Sequence, residues 1–523
     1  MDRKWWTLIA VSIAIFMLLL DITVVNVALP AIQRDLHSSF ADLQWVVNAY
    51  SLTLAALLLT SGALSDLFGR RLVFTAGLVV FTCSSAVCGL SSTPLTLNLA
   101  RAVQGVGGAM MFATSLALIA QAFHGRERGI AFGVFGAVTG AAVAIGPVIG
   151  GVITSGIGWQ WIFFVNVPIG VAAVALTLAQ VQESTDPNAS GVDWIGLLTF
   201  SGALFLLVYA LIKGNEKGWG SVEILTMLGA SAALLVAFVV AESRQRRPML
   251  DLTLFRRPAF AGASIVAFAL SSSMFAMFLY LTLYIQDVLR YSPLQAGLRF
   301  LPTTLVMFLV APLAGRLSVR VPVRLLLGAG LLLVSGGLFA MRAVEPSSGW
   351  TVLIPGFVIA GAGVGLINPP LASTAIGVVH YSRSGMASGI NSTFRQVGIA
   401  TGIAGLGAVF AHQLTHATTA ALAARGQAHT VLAAAHGQLP ALLQSGEVGQ
   451  LMRSVSPAAR TAFAHAYRAG FIEAFTTILA IAAAVAFVGA VCAFALIRSR
   501  DFVTAAAPAA EAPAREPVGA AAG

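Results

Sequence analysis

Runs of about twenty apolar residues recur along the whole sequence, and they restrict what the chain can fold into. As a helix, each run is long enough to cross a hydrocarbon core of about 30 Å. Only 10% of the 523 residues are charged and 58% are hydrophobic, whereas a soluble domain carries roughly 25% charged residues. The sequence therefore predicts an all-α integral membrane protein. A transmembrane β-barrel would require alternating segments of about ten residues, which the sequence lacks.

The apolar runs predict fourteen membrane spans. They cover residues 5–30, 43–64, 72–91, 94–122, 129–155, 161–181, 194–212, 222–242, 259–287, 293–315, 322–342, 351–379, 386–411 and 469–498. If the N-terminus lies inside, 18 of the 30 Lys and Arg residues fall in inner segments and nine in outer ones. Inner segments of membrane proteins are enriched in these residues. The bias therefore predicts a multi-pass protein with both termini in the cytoplasm.

The remaining composition argues against several other classes of protein. The net charge of +10 comes from basic residues at span ends, so we expect no nucleic-acid partner. The three cysteines lie in apolar runs without metal-ligand spacing, and none of the three lysines lies in a phosphate-binding loop. We therefore expect no metal, no cofactor and no enzyme active site. Residues 412–467 are expected to form an outer loop with short interfacial helices, and residues 501–523 a disordered cytoplasmic tail.

Two opposite charges lie well inside predicted spans. Asp21 interrupts "LLLDITVVNVALP" in span one, and Arg101 interrupts "LNLARAVQGVGGAMM" in span four. Charges at this depth are costly and usually functional, and each needs a partner. We expect the two to pair, with Asn26 and Gln104 as polar neighbours one turn away. The alternatives are a neutral, hydrogen-bonded Asp21 and an Arg101 that packs only against backbone carbonyls.

The stretch "GALSDLFGRR", residues 62–71, concentrates charge between spans two and three. Its glycines permit a tight turn, and its carboxylate can pair with an arginine or with a helix N-terminus. We interpret its residues as a conformational latch on the inner face; they are Gly62, Asp66, Gly69, Arg70 and Arg71. The alternative is a simple basic anchor with an incidental Asp.

A third motif, "GAVTGAAVAIGPVIGG", places small residues along span five. Small residues let helices approach closely, and an internal proline kinks the helix. The "GP-x-x-GG" ending consists of Gly146, Pro147, Gly150 and Gly151. The alternative is a generic helix-packing stripe.

These motifs resemble, in order, those of the major facilitator superfamily. "GALSDLFGRR" looks like its signature loop, with a degraded copy in "GRLSVRVPVR" at 315–324. "LDITVVNVALP", "LARAVQGVGGAMM", "GPVIGG", "WQWIFFVNVPIG", "SPLQAGLRFLP" and "GMASGINSTFRQVGIATG" look like its fourteen-span drug:proton antiporter family, the EmrB/QacA subfamily. The resemblance implies the major facilitator fold, with six-helix bundles at 1–181 and 259–498 and two inserted helices within 194–242.

The resemblance also implies a function. A proton-coupled multidrug efflux antiporter of the bacterial inner membrane would export small lipophilic or cationic compounds by alternating access. Asp21 would carry the proton, with Arg101 beside it. We expect a monomer surrounded by lipid, alone or with a periplasmic adaptor. An exporter of one endogenous metabolite would have the same motifs. An importer is disfavoured by "GPVIGG", and a non-transporting receptor by the full set of intramembrane charges.

Further candidates for these roles lie in the second half of the chain. Glu473, early in span fourteen, is a second candidate for proton coupling or a plain interfacial residue. A substrate cavity would be lined by Asn26 and Gln104 together with Tyr280, Tyr284, Asn391, Arg395 and Gln396. The alternative for the two tyrosines is core packing, and for the last three residues it is packing between bundles.

Overall fold

A computed structural model describes residues 2–498 except 124, 186–190, 246–247, 249, 319, 378–383 and 425–456. Within these residues, fourteen helices are long and apolar enough to cross a membrane. They are α1 Arg3–Leu36, α2 Phe40–Phe68, α3 Arg70–Gly89, α4 Pro94–Ala122, α5 Gly133–Gly156, α6 Trp161–Gln180, α7 Trp194–Lys217, α8 Val222–Arg244, α9 Pro258–Val288, α10 Pro293–Leu317, α11 Val323–Ala343, α12 Trp350–Thr374, α13 Gly389–Ala424 and α14 Arg460–Leu496. The predicted all-α membrane architecture is confirmed.

Local sequence determines where several helices begin. At the start of α2, Ser39 and Asp42 form a capping box, in which each side chain accepts from the other residue's backbone N–H. Ser292 and Gln295 form the same box before α10. These contacts satisfy backbone donors that have no partner within the helix. They keep the connections α1–α2 and α9–α10 short, so that each pair of helices crosses the membrane in opposite directions.

The predicted outer loop 412–467 is shorter at both ends than expected. Helix α13 continues through Ala424, and helical structure resumes at Pro457 ahead of α14. The sequence leading to Ala424, "HATTAALAA", is rich in alanine, which has the highest intrinsic helix propensity. Residues 425–456 and the predicted tail 501–523 lie outside the described residues.

Two hydrophobic clusters form the core, and α1 belongs to both. Its first half, through residues such as Ala14 and Leu18, packs with α2, α3 and α4. Its second half, from Leu20 to Ile32, packs in a larger cluster with α9, α11, α12, α13 and α14. We call the end of the bundle where α1 begins the near face and the end where α1 finishes the far face. The second half of α1 therefore joins the two halves of the chain toward the far face.

Hydrogen bonds between the two halves also lie toward the far face in the described part of the chain. Gln44 Nε2 donates to the carbonyl of Ile403 over 3.0 Å. Gln286 Nε2 donates to the carbonyl of Val27 over 2.7 Å. The backbone N–H of Leu294 donates to Ser155 Oγ over 2.9 Å. The far face is closed by these contacts.

Helix α5 shows the difference between the two faces. A Cβ added at Gly150 would lie 2.9 Å from the carbonyl oxygen of Val24 on α1, so this part of α5 is tightly packed. Toward the near face, a Cβ at Gly133, Gly136 or Gly140 would meet nothing within 4 Å. These three glycines are therefore unpacked, as is Gly156 at the far-face end of α5, whereas the segment around Gly150 is tightly packed.

Helices α7 and α8 attach where α2 meets α13. Leu204 and Val208 of α7 pack with Leu52 of α2 and with Ala400 of α13 in a small cluster of their own. Helix α8 is held mainly by α7, and Ser231 Oγ donates to the carbonyl of Ala203. These two helices lie outside the two main hydrophobic clusters apart from Phe200 and Phe238.

Candidate transport site

Asp21 and Arg101 meet inside the first half of the chain. Arg101 Nη1 donates to Asp21 Oδ2 over 2.5 Å, and the two residues are 1% and 2% exposed. Helix α1 presents the acid and α4 presents the base. The expected contact is confirmed, while the role of Asp21 in proton coupling stays a prediction.

Two amides complete the shell of donors around the carboxylate. Gln104 Nε2 donates to Asp21 Oδ1 over 3.0 Å, and Gln104 Oε1 accepts from Arg101 Nη1 over 2.7 Å. Asn166 Nδ2 donates to Asp21 Oδ1 over 3.3 Å and to Ser85 Oγ over 3.0 Å. Three side chains thus donate to the two oxygens of Asp21. Both oxygens of the buried carboxylate are therefore hydrogen-bonded.

Arg101 has further partners that suit a buried guanidinium. Its Nε donates to the carbonyl of Val46 over 3.1 Å. Its Cζ lies 4.3 Å from the ring centroid of Tyr50 and 5.9 Å from that of Phe163. A cation over an aromatic face is attracted by the ring quadrupole. Both Asp21 and Arg101 therefore have polar or aromatic partners besides each other, which offset the cost of burying their charges.

Sequence reasoning missed Asn166 and Tyr50. Asn166 lies in "WQWIFFVNVPIG", where a lone amide before a proline interrupts an apolar aromatic run. That is a recognisable signal, since an amide in hydrocarbon needs a partner. Tyr50 gave no such signal, because its contribution is a ring face whose position depends on how α2 packs.

Two other residues predicted for this region lie outside the network. The Asn26 amide donates to the carbonyl of Ile22, within its own helix. Glu473 is exposed and accepts from Gln413 Nε2 over 2.9 Å. The expectation that Asn26 extends the polar neighbourhood of Asp21 is not met by the contacts in this structure. A coupling role for Glu473 stays a prediction.

The "GPVIGG" motif lies where α5 meets α1 and α10. A Cβ at Gly146 would lie 1.9 Å from Thr23 Oγ1, and one at Gly151 would lie 2.6 Å from the carbonyl oxygen of Pro293. The carbonyl of Pro147 approaches Gly297, whose Cβ would be 2.2 Å away. No side chain fits at these glycines without moving a neighbouring helix. The motif therefore closes the far face by backbone contact.

Among the described residues, the hydrogen bonds and ion pairs of the predicted latch lie within the first half of the chain. Arg70 Nη2 lies 2.9 Å from Asp66 Oδ1. The carboxylate of Glu183 accepts from the backbone N–H groups of Arg71 and Leu72 over 2.9 and 3.0 Å. A carboxylate at this place stabilises the positive end of α3. Glu183, which sequence reasoning missed, thereby holds the loop against the segment after α6.

Gly69 explains the shape of that loop. Its φ of 112° is one that residues with a side chain rarely adopt. A Cβ there would also lie 2.6 Å from Glu183 Oε1. Gly62, by contrast, borders open space. Among the described residues, the contacts of Asp66, Arg70 and Arg71 do not reach the second half, so the latch function stays a prediction.

Three of the five predicted cavity residues on α9 and α13 are packed rather than open. Tyr280 is fully buried, and its hydroxyl donates to the carbonyl of Ile403 over 2.6 Å. Tyr284 is fully buried and stacks on Phe475 with ring centroids 5.1 Å apart. Asn391 Nδ2 donates to the carbonyl of Ala263 over 3.3 Å. These contacts are those of core packing and leave no surface of the two tyrosines free in this state.

The other two residues are less buried. The side chain of Arg395 is half-buried, and its Cζ lies 5.9 Å from the ring centroid of Phe275. Its neighbour Gln396 is also half-buried, and its Oε1 has no hydrogen-bond donor among the described residues. In the described part of the chain, no three His, Cys, Asp or Glu side chains cluster closely enough to hold a metal ion.

Known proteins resemble this chain over most of its length. The family model of the Major Facilitator Superfamily matches residues 11–403. The multidrug resistance protein Stp of Mycobacterium tuberculosis strain CDC 1551 / Oshkosh is 39% identical over 410 residues, which are 78% of this chain and 76% of that protein. The tetracenomycin C resistance and export protein of Streptomyces glaucescens is 34% identical over 413 residues, 79% of this chain and 77% of its own.

A solved structure has the same fold. It is the crystal structure of a bacterial homologue of the human lysosomal transporter Spinster, in an inward-facing and unoccupied conformation. The superposition has a TM-score of 0.59 at 17% sequence identity, and it covers 96% of this chain and 99% of that one. At this level of identity, the likeness establishes the fold alone.

Proposed function

The chain belongs to the major facilitator superfamily, and from that membership we propose that it exports lipophilic small molecules from a bacterial cell in exchange for protons. The observation that carries the coupling part of the proposal is Asp21, an acid buried in α1 and surrounded by Arg101, Gln104 and Asn166. A titratable group at this depth is expensive to maintain unless it functions. The relatives named for multidrug resistance and for antibiotic export support the transported class.

The proposed orientation places the near face in the cytoplasm. The excess of Lys and Arg on that side supports it. In this orientation the hydrogen bonds between the halves at the far face and the unpacked near-face glycines of α5 support a state that receives substrate from the cytoplasm. Residues 1–181 and 259–498 would then act as two moving bundles, with the helices of 194–242 attached beside them.

The proposed cycle couples two events at Asp21. In the near-face-open state its oxygens accept three hydrogen bonds from Arg101, Gln104 and Asn166, and we assign the step after proton release to this state. Opening of the far face would loosen this shell and let Asp21 take a proton from outside. Return to the near-face-open state would reform the pair with Arg101 and expel the proton inward. One charge crossing 100 mV releases about 2.3 kcal/mol, which can drive export.

The proposed latch would act in the opposite state. Asp66 pairs with Arg70 within its own loop while the near face is open. When the near face closes, the same charged loop would meet the second bundle. The "GPVIGG" contacts would open at the same time, because Gly151 lies against Pro293 at the far face.

Reconstituted protein tests this function. In proteoliposomes with an imposed pH gradient, a panel of lipophilic cations, neutral compounds and weak acids should include compounds that move against their gradient. A protonophore should abolish that movement. If no compound in the panel responds to the pH gradient, the proposal of proton-coupled export is wrong.

A second candidate is the export of one endogenous metabolite by the same mechanism. The relative named for tetracenomycin C resistance and export supports it, since its printed name specifies one compound. The same panel separates the two candidates. Several structurally unrelated compounds transported at comparable rates would support multidrug export, and one compound transported alone would support the metabolite exporter.

A further inference from the structure

Arg395 carries a charge deep in the membrane-spanning part of α13. Helical structure begins at Ser384, eleven residues before it, which corresponds to roughly 16 Å at 1.5 Å per residue. The hydrocarbon core is about 30 Å thick. A hydrocarbon core that begins near Ser384 would place Arg395 near its middle.

The contacts of α13 show which helix Arg395 faces. Asn391 Nδ2 donates to the carbonyl of Ala263 on α9. A Cβ at Gly398 would lie 2.7 Å from the carbonyl oxygen of Phe268, also on α9. Residues four apart and three apart share a helix face. Arg395 thus lies on the side of α13 that packs against α9, at the edge of that contact.

Helix α9 offers aromatic surface at this place. Phe275 ends a π-helical segment, Ser271–Phe275, and is half-buried where the rest of that segment is buried. Phe278 is also half-buried, and the two ring centroids are 6.2 Å apart. Single π-helical turns within α-helices occur frequently at functional sites. The guanidinium of Arg395 thus has accessible aromatic rings beside it.

What Arg395 lacks is an anion. Among the described residues, no carboxylate lies within 4 Å of its guanidinium. The guanidinium instead makes a cation–π contact with the ring of Phe275. Asp21, the acid expected to carry the proton, is buried and paired with Arg101. An arginine stays protonated in proteins, and an unpaired charge in a membrane interior is costly. The free charge available to a ligand here is therefore positive.

We propose that Arg395 binds the carboxylate or phenolate of lipophilic aromatic weak acids, and that such acids are preferred over cations. The guanidinium fork can donate two parallel hydrogen bonds to an anionic group, and Phe275 and Phe278 supply the apolar contact for its rings. This inference rests on the proposed export function and names its substrate class. It differs from the sequence-based expectation of small lipophilic or cationic substrates.

Binding of three matched fluorescent probes tests the proposal. Pyrenebutyrate, pyrenebutanol and pyrenebutylammonium share one ring system and differ in charge. The purified full chain in detergent at neutral pH should bind the carboxylate on the order of tenfold more tightly than the alcohol, as expected for one charge-assisted hydrogen-bonded pair. The ammonium probe should bind more weakly than the alcohol.

Two variants and one control assign the preference to Arg395. Arg395→Gln should bind the carboxylate and the alcohol with similar affinity, and Arg395→Lys should keep much of the preference. Arg324→Gln removes an exposed charge at the start of α11 and should leave the preference unchanged. Binding of the alcohol by every variant would show that the variants are folded.

The result that overturns the inference is equal affinity for the carboxylate and the alcohol in the unmodified protein. An unchanged preference in Arg395→Gln would overturn it as well. Transport separates this inference from the export function on which it rests. If pyrenebutanol is exported against its gradient and pyrenebutyrate is not, the export function stands and the proposed role of Arg395 fails.

Discussion

At the scale of single residues, the pair of Asp21 and Arg101 is the feature that the chain can least easily lose. Each side chain is almost completely buried, and each is the other's ion-pair partner. Taking two charges out of water is costly, and their attraction offsets this cost only while both are present. Removing one partner therefore has a different consequence from removing both.

We predict that Arg101→Met lowers the free energy of unfolding by about 3–5 kcal/mol, because it leaves the buried carboxylate of Asp21 without its cation. The double variant Asp21→Leu/Arg101→Met should be more stable than Arg101→Met alone, since both charges are gone. The midpoint temperature of thermal unfolding in detergent gives the order of stability of the variants. It is measured by size-exclusion chromatography of samples heated to increasing temperatures.

Arg395→Met is the matched control for this cycle, because Arg395 has no carboxylate within ion-pair distance in the described part of the chain. It should destabilise the protein less than Arg101→Met does. A double variant that unfolds at a lower temperature than Arg101→Met would contradict the account of a mutually dependent pair.

The pair could be predicted from sequence, since a lone acid and a lone base in apolar spans need partners. Gln104 was predicted as a neighbour as well and lies in the shell, but Ser85 and Asn166 were not predicted. Ser85 and Asn166 are polar residues in apolar runs, and many such residues satisfy themselves within their own helix, as Asn26 does. Which amide reaches Asp21 depends on how α3 and α6 pack against α1. That packing cannot be inferred from a single sequence.

At the scale of helices, α5 contains two kinds of glycine. Gly151 contacts α10 so closely that an added Cβ would lie 2.6 Å from the carbonyl of Pro293, whereas Gly140 meets nothing within 4 Å. Both belong to the same small-residue stripe in the sequence. The sequence predicted the stripe, but only the packing distinguishes the glycines that hold the far face closed.

We predict that Gly151→Ala shifts the protein toward a state with an open far face. Overpacking of this kind typically costs about 1–3 kcal/mol, and here it falls on a contact between the two halves. Spin labels at the exposed Ser92 and Ser347 of two far-face loops should report longer distances by pulsed electron paramagnetic resonance, in a background without Cys83 and Cys492.

Gly140→Ala is the control, because its new methyl group meets nothing within 4 Å and alanine is a better helix former than glycine. Its distance distribution should match that of the parent protein. If Gly151→Ala and Gly140→Ala give the same distribution, the far face is not held by the backbone contact at Gly151.

Helix ends were predicted less well than helix positions. All fourteen spans are present, yet α1 and α13 extend well beyond their predicted ends. The hydropathy pattern locates the part of a helix that lies in hydrocarbon. It does not locate the ends of a helix that continues into water, as α13 does through its alanine-rich end.

At the scale of the whole molecule, hydrogen bonds join the two halves at the far face, while three glycines of α5 toward the near face are unpacked. The halves also meet toward the near face, where a Cβ added at Gly389 of α13 would lie 2.9 Å from Leu59 Cδ2 of α2. The latch loop then pairs internally and contacts the segment after α6. The two observations are consistent with alternating access, in which contacts at one face form as those at the other separate. In this scheme the ion pair of Asp21 and Arg101 loosens when the far face opens and forms again when the far face closes.

The central claim is that Asp21 carries the transported proton. The most direct test measures two kinds of transport in proteoliposomes that contain Asp21→Asn. Exchange of labelled for unlabelled substrate requires no net proton movement and should persist. Accumulation of substrate driven by a pH gradient, and the proton release that accompanies it, should be lost.

Glu345→Gln is the matched control in the same assay, because Glu345 is exposed in the loop between α11 and α12, outside the Asp21 network. We predict that Glu345→Gln retains both exchange and proton-driven accumulation, while Asp21→Asn retains exchange alone. Proton release that persists at the parent rate in Asp21→Asn would contradict the claim.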